Sequence, residues 1–376
     1  MEMNEMKQHI HGGNVKKLQR ELEIEEIDLT DFSANINPLG ISNLFKELII
    51  DNINEIEKYP DYTYTDLKQS LSRFYQIDKD SIVLGNGAEE IIRLLLSLLP
   101  KDIVIIEPTF SEYRTVAQNQ DKNIISYILD EDEDFILNEN SFFDDILNLV
   151  SKNQTEDQSE YQAAVFLCNP NNPTGQFISK SKLNSIVSFL KEHQILLVLD
   201  ESFIEFIEDS HSVAMLGNDK YSNLIIIRSL TKFYAMPGLR LGFCQINDKN
   251  LKDRFDKLQG VWNINTFAML CGEAIVHLDD YREESLRYYQ KEKKIILDTL
   301  KHYEDIKIYD TYANFIFIKC SRFNLYETLL HKGIVIRHCN NFIGLGQDYY
   351  RIAVRTTEEN IKLLASLEEV MTSYEE

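Results

Sequence analysis

The sequence predicts an α/β fold, a mostly parallel sheet covered by helices on both faces, followed by a smaller α+β domain. Two patterns and one change of texture carry this reading. Short, nearly all-apolar runs recur at 103–106 (IVII), 163–167 (AAVFL), 195–199 (ILLVL) and 224–227 (LIII). Such runs, without polar alternation, suit strands buried on both faces. Helix-like stretches lie at 89–99, 110–118 and 180–192, and strand–helix alternation from 80 to 230 favours a parallel sheet. After 270 a long charged helix pattern (273–302) leads to a strand at 314–319, a helix at 325–332, strands at 334–338 and 350–354, and a closing helix from 357. The division expected is an N-terminal arm (1–45) joining the small domain, a large domain (46–270) and a small C-terminal domain (271–376).

Composition narrows the function classes. The 376 residues carry 39 Lys and Arg against 61 Asp and Glu, a net charge of −22, which opposes non-specific nucleic-acid binding. A content of 44% hydrophobic residues, with 19 Tyr and 20 Phe, supports a substantial core. No apolar run approaches the roughly 20 residues of a membrane span, and residues 1–9 lack the apolar core of a secretion signal. The five cysteines form no CxxC pair, so the expectation is a cytoplasmic protein with reduced thiols and no metal site. A polar, acidic tract over 130–162 reads as a solvated connection around a short helix at 142–150.

In a parallel sheet the ligand site lies beyond the carboxyl ends of the strands. The strand at 81–84 runs into Gly85-Asn86-Gly87-Ala88-Glu89-Glu90, a glycine loop opening a helix and a generic anion seat. The strand at 163–167 ends in Cys168-Asn169-Pro170-Asn171-Asn172-Pro173-Thr174-Gly175, a tight turn that aims the Asn172 amide above the sheet. The strand at 195–199 ends in Asp200-Glu201, a carboxylate costly to bury unpaired. The strand at 224–227 leads into Arg228-Ser229-Leu230-Thr231-Lys232, with Arg240 eight residues further on. Hydroxyls, backbone N–H groups and an arginine fork suit a phosphate, and a lysine beside them suits covalent capture of an aldehyde. Taken singly, each has an ordinary alternative: a helix cap for Asp200, a surface lysine for Lys232, a structural turn for the Asn172 segment. Their convergence on four strand ends carries the inference.

These residues resemble the fold-type I pyridoxal-phosphate enzymes of the aspartate-aminotransferase superfamily, in the histidinol-phosphate aminotransferase branch. The resemblance implies a seven-stranded large-domain sheet, pyridoxal 5′-phosphate as cofactor and a homodimer with shared active sites. It implies that Lys232 carries the cofactor, that Asp200 pairs with its ring nitrogen and that Asn172 bonds its O3′. Gly87, Ala88, Glu89, Ser229, Thr231 and Arg240 would surround its phosphate, Phe110 would stack on the ring, and Tyr59 would reach the phosphate from a second subunit. One departure stands out: the tyrosine usual three residues after the aspartate is Phe203, which leaves Asn172 as the O3′ partner.

Within that branch the chain looks most like the threonine-phosphate decarboxylases of cobalamin biosynthesis. The resemblance rests on His11-Gly12-Gly13-Asn14, on residues 31–40 (DFSANINPLG), on Phe203, on the block 228–242, and on a C-terminal group containing Arg337 and Arg351. It implies that His11, Gly12, Asn35, Asn172, Arg337 and Arg351 contact a phosphorylated amino acid. The activity implied is decarboxylation of L-threonine O-3-phosphate to (R)-1-amino-2-propanol O-2-phosphate. Two arginines suit a substrate carrying a carboxylate and a phosphate. The plain alternatives are an exposed arginine beside a strand for Arg337 and a loose-arm histidine for His11. The rival functions are an aminotransferase of the histidinol-phosphate type, a decarboxylase of O-phosphoserine, and a non-catalytic cofactor-binding module.

Overall fold

The apolar runs become strands because helices cover both of their faces. The computed structural model describes residues 12–22, 29–153 and 159–373. After a two-residue strand, β1 (Thr30–Asp31), the chain builds the large sheet. Its strands are β2 (Ile82–Gly85), β3 (Asp102–Glu107), β4 (Asn123–Ile128), β5 (Ala163–Cys168), β6 (Ile195–Asp200), β7 (Leu224–Ser229) and β8 (Gly242–Ile246). Their order is β2-β8-β7-β6-β5-β3-β4. Only β8 runs antiparallel to its neighbours.

Side chains alternate between two cores. Val104, Val165, Leu197 and Ile226 enter one, and Ile105, Phe166, Val198 and Ile225 the other. The second core is closed by the helices Ala88–Leu98 and Glu112–Asn119 and by Leu251 and Phe255 of the helix Lys249–Leu258. Ser179 caps the helix Lys180–Glu192 on the opposite face, its hydroxyl accepting from the Lys182 N–H.

The C-terminal part forms an antiparallel sheet of β9 (Ile306–Tyr309), β10 (Phe315–Cys320), β12 (Arg337–His338) and β13 (Tyr349–Ala353), in the order β12-β13-β10-β9. The strand β11 (Ile334–Val335) pairs in parallel with β1, tying residues 30–31 to this region. No helix among the described residues is long and apolar enough to cross a membrane.

Several local expectations change. Strands β4, β8 and β9 are additional to those the apolar runs predict. The first is an edge strand with polar residues at Asn123 and Ser126, and β8 carries a buried Gln245. The strand expected at 334–338 is two, because Ile334–Val335 pairs with β1 while Arg337–His338 turns to pair with β13. The helix pattern at 273–302 is broken: Thr266–Glu273 ends, a 3-10 turn spans Ala274–His277, and a new helix runs Asp279–Leu300. Asp279 and Asp280 favour that start because their charge meets the positive end of the helix dipole. The helix expected from 110 begins at Glu112, leaving Phe110 outside it. The acidic stretch 130–134 is not simply solvated. Glu131 pairs with Lys319 at 2.6 Å, Asp134 with Lys307 at 2.7 Å, and the next residue, Phe135, is buried.

Candidate active site

Three neighbouring parallel strands end with polar side chains on the same face. Cys168, Asp200 and Ser229 close β5, β6 and β7 at the parity of Phe166, Val198 and Ile227. Together with Ala88, Glu89, Phe110, Asn172, Thr231, Lys232 and Arg240 they line a cavity of about 390 Å³. Nine expected site residues therefore meet in one place. Gly87, the tenth, caps the helix Ala88–Leu98 at φ 78°, and a Cβ there would lie 2.5 Å from the Arg240 guanidinium. Only glycine lets that helix start and that arginine share the anion seat.

Lys232 sits in a loop held from outside the sheet. The Asn37 N–H donates to the Lys232 carbonyl at 3.0 Å, and the Asn37 amide donates to Phe233 O (2.8 Å) and Ser285 Oγ (2.7 Å). The amine donates to Ser229 Oγ at 3.2 Å, and that hydroxyl meets Thr231 Oγ1 at 2.8 Å. Burial pushes the amine below the ordinary lysine range, against the attraction of Asp200. Such an amine is neutral, and hence nucleophilic, at lower pH than an exposed lysine. The amine also lies 5.3 Å from the centre of the Phe203 ring.

Asp200 is buried and hydrogen-bonded on both oxygens. Tyr113 donates its hydroxyl to Oδ2 at 2.6 Å, and the Ser202 N–H donates to Oδ1 at 2.9 Å. Phe110 forms a side wall, with Tyr113 set edge-on to it at 5.6 Å and 84°. Asn171 staples the neighbouring loops, accepting from Thr109 Oγ1 (2.9 Å) and donating to Pro108 O (2.8 Å), so Asn172 emerges from a fixed turn.

Behind Asn172 lie two arginines. Arg351 donates to Asn172 Oδ1 and, at 2.7 Å, to Ser33 O. Arg337 donates to Asn341 Oδ1 at 2.7 Å and packs over the Phe342 ring. The two are register partners across β12 and β13, and each is 5% exposed. Like charges directly opposite on paired strands repel, and neither guanidinium forms an ion pair among the described residues. Burial pushes Arg351 down to about 10 and lowers Arg337 as well. Gly12 packs on Ser33, where a Cβ would come within 2.0 Å of its carbonyl, and the Gly13 N–H donates to Ser33 Oγ at 2.9 Å. Asn35 is buried nearby in sequence, with its Oδ1 unpartnered among the described residues.

Two expected residues stand apart. Tyr59 is 79% exposed, stacked on Trp262 at 4.4 Å, and does not line the cavity of its own subunit. His11 lies outside the described residues. Sequence reasoning missed Glu112, Tyr113, Cys168 and Ser202 as cavity residues. For Tyr113 a signal existed, since it sits three residues after Phe110 in the first turn of a helix that begins at the cavity.

The donor set fits pyridoxal 5′-phosphate. A buried amine can take its aldehyde, a buried carboxylate its ring nitrogen, and hydroxyls, an arginine and a helix N-terminus its phosphate. Ser202 Oγ, which lines the cavity, and Arg351 Nε are buried without a hydrogen-bond partner among the described residues.

Comparison with known proteins agrees. The chain is 35% identical over 367 residues to threonine-phosphate decarboxylase of Salmonella typhimurium, covering 96% of each. It is 28% identical to histidinol-phosphate aminotransferase of Methanocaldococcus jannaschii, covering 98% of this chain and 96% of that one. The crystal structure of histidinol-phosphate aminotransferase from Clostridium acetobutylicum superposes with a TM-score of 0.82 at 34% identity, covering 91% of this chain and 99% of that one. The architecture is that of fold-type I pyridoxal-phosphate enzymes. The family described as aminotransferase class I and II, which uses pyridoxal 5′-phosphate, matches residues 27–367, and the chain belongs to it.

Proposed function

We propose that this enzyme decarboxylates L-threonine O-3-phosphate to (R)-1-amino-2-propanol O-2-phosphate, a step of cobalamin side-chain synthesis. The observation that carries the reading is the facing pair of buried arginines without acidic partners among the described residues. Two desolvated guanidiniums on adjacent strands are costly alone and are stabilised by a ligand with two anionic groups. Phosphothreonine offers a carboxylate and a phosphate. The 35% identity to a threonine-phosphate decarboxylase supports the same choice.

When bound, the cofactor supplies a sink for the electron pair left at Cα by bond cleavage. In this reading Lys232 carries it, Asp200 faces its ring nitrogen, Asn172 its O3′, and Gly87, Ala88, Glu89, Ser229, Thr231 and Arg240 surround its phosphate. Phe110 covers one face of the ring. Arg351 and Arg337 would hold the two anions of the substrate, and Gly12, Asn35 and His11 would contact it as well. Which bond to Cα would break depends on the rotation about the substrate's Cα–N bond. Holding both anions fixes that rotation and turns the carboxylate out. Lys232, its amine freed once the substrate's amino group has replaced it on the cofactor, would return a proton to Cα. Tyr59, solvent-facing among the exposed Ile50, Ile53, Ile56 and Tyr62, serves the cofactor phosphate of a second copy in a homodimer.

The second reading, an aminotransferase of the histidinol-phosphate type, is favoured by the 34% identity to such an enzyme of known structure. One assay separates the two. O-phosphothreonine supplied without a 2-oxo acid releases CO₂ and the phosphorylated amino alcohol under the first. A strict requirement for a 2-oxo acid, with its amino acid formed, supports the second. Running O-phosphoserine beside it measures the weight of one methyl, about 1–3 kcal/mol in a fitted pocket.

A further inference from the structure

We infer that Tyr113 is the positioning residue for Asp200, fixing the carboxylate in the orientation in which it serves the ring nitrogen of the cofactor. This rests on the role given to Asp200 above and adds a residue to it.

Tyr113 is fully buried in the helix Glu112–Asn119, and its hydroxyl donates to Asp200 Oδ2 at 2.6 Å. That distance is at the short end for a charge-assisted O–H···O⁻ bond. Desolvation and the adjacent Asp200 charge push the phenol well above the usual tyrosine range, which favours its protonated, donating form. Asp200 terminates β6 and could rotate about χ1 and χ2. The Ser202 N–H holds Oδ1 from the chain side, and Tyr113 holds Oδ2 from the helix side. With both oxygens anchored, the carboxylate plane has one orientation, and each oxygen keeps lone-pair capacity for a further donor. The Tyr113 ring is held by Phe110, edge-on at 5.6 Å, and by Phe166 at 5.2 Å. The residue that props the side wall of the cavity thus also orients the acid.

Two ligands of the cofactor-free enzyme separate this role from a structural one. These are pyridoxal phosphate and its 1-deaza analogue, in which carbon replaces the ring nitrogen. Dissociation constants are read by fluorescence titration, without turnover. For Tyr113→Phe the expectation is roughly tenfold weaker binding of pyridoxal phosphate, the loss of about 1.4 kcal/mol. Binding of the analogue should be unchanged from wild type. Equal weakening of both ligands, or of neither, overturns the assignment. Wild type that binds the two ligands equally overturns the role of Asp200 as well, so the two failures are distinguishable. Should Tyr113→Phe not fold, 3-fluorotyrosine encoded at position 113 keeps the shape and strengthens the donor. The expected result is a shift in the pH at which the absorbance of the bound cofactor changes, and no shift overturns the proposal.

Discussion

Two groups of charged side chains gather on either side of the ends of β6 and β7, and they are built oppositely. On the face away from the cavity, Arg228 meets Glu201 at 3.2 Å and Glu205 at 3.0 Å, while Arg282 meets Glu205 at 2.9 Å. Two acids and two arginines match, and Glu201 Oε1 also accepts from the Met215 N–H at 2.6 Å. Behind Asn172, Arg337 and Arg351 are buried and form no ion pair among the described residues, and the part-buried Lys232 amine feels the charge of Asp200, whose oxygens accept from Tyr113 and the Ser202 N–H. At the ends of β6 and β7 the two meet, Asp200 beside Glu201 and Ser229 beside Arg228, because adjacent residues of a strand point to opposite faces, while Arg337 and Arg351 come from the C-terminal sheet. Matched charge closes a structure. Unmatched buried charge is tolerated where a ligand completes it.

That contrast predicts mutants of opposite character. Lys232→Ala should remove activity by roughly 10⁴-fold and leave the denaturation midpoint near wild type, as read by turnover and by urea unfolding. Arg228→Met should do the reverse. Leaving Glu201 without its arginine, and Glu205 with Arg282 alone, costs about 3–5 kcal/mol of stability, while kcat/KM in the surviving folded fraction stays within a few-fold of wild type. A loss of catalysis larger than the loss of stability would break the division between the two faces. Asn37→Ala tests a residue that belongs to both. Its amide holds Phe233 O and Ser285 Oγ, so about 1–3 kcal/mol of stability should go. With the Lys232 loop loosened, kcat should fall by up to about tenfold and KM little.

The smallest effect expected is on pH. Burial raises the Glu201 carboxyl above the ordinary range despite Arg228. A carboxyl whose folded value is raised binds more protons folded than unfolded between the two values. Its contribution therefore falls as pH rises through that window, from the usual carboxylate value upward. Glu201→Gln should flatten this part of the stability–pH curve. An unchanged slope would show that the ion pair, not burial, governs the group.

Much of this arrangement was legible in the sequence because a polar residue closing an all-apolar run marks the end of a buried strand. Asp200, Lys232 and Asn172 could be placed at one edge of a sheet from parity and position alone. Strand β4 was not legible, since an edge strand half open to solvent lacks the continuous apolar pattern, and β8 opens on a glycine and interrupts its apolar run with the buried Gln245. The break at Ile336 depends on β11 and β12 finding different partners, which is a long-range property. Tyr113 looks like an ordinary amphipathic-helix aromatic, and its contact with Asp200 spans 87 residues. The acid–arginine cluster around Arg228 was invisible for the same reason: Glu205 and Arg282 meet only in the fold. Arg337 was legible as a residue, but its opposition to Arg351 was not.

The most direct test of the claim that unmatched arginines form a receptor for two anions compares Arg337→Ala with wild type on O-phosphothreonine and on threonine. The account predicts that kcat/KM on the phosphorylated substrate falls by roughly 30-fold or more, the 2–5 kcal/mol lost with one partner of a buried charge pair, while the slow reaction of threonine is little changed. An Arg337→Ala enzyme that acts on O-phosphothreonine as efficiently as wild type would contradict it.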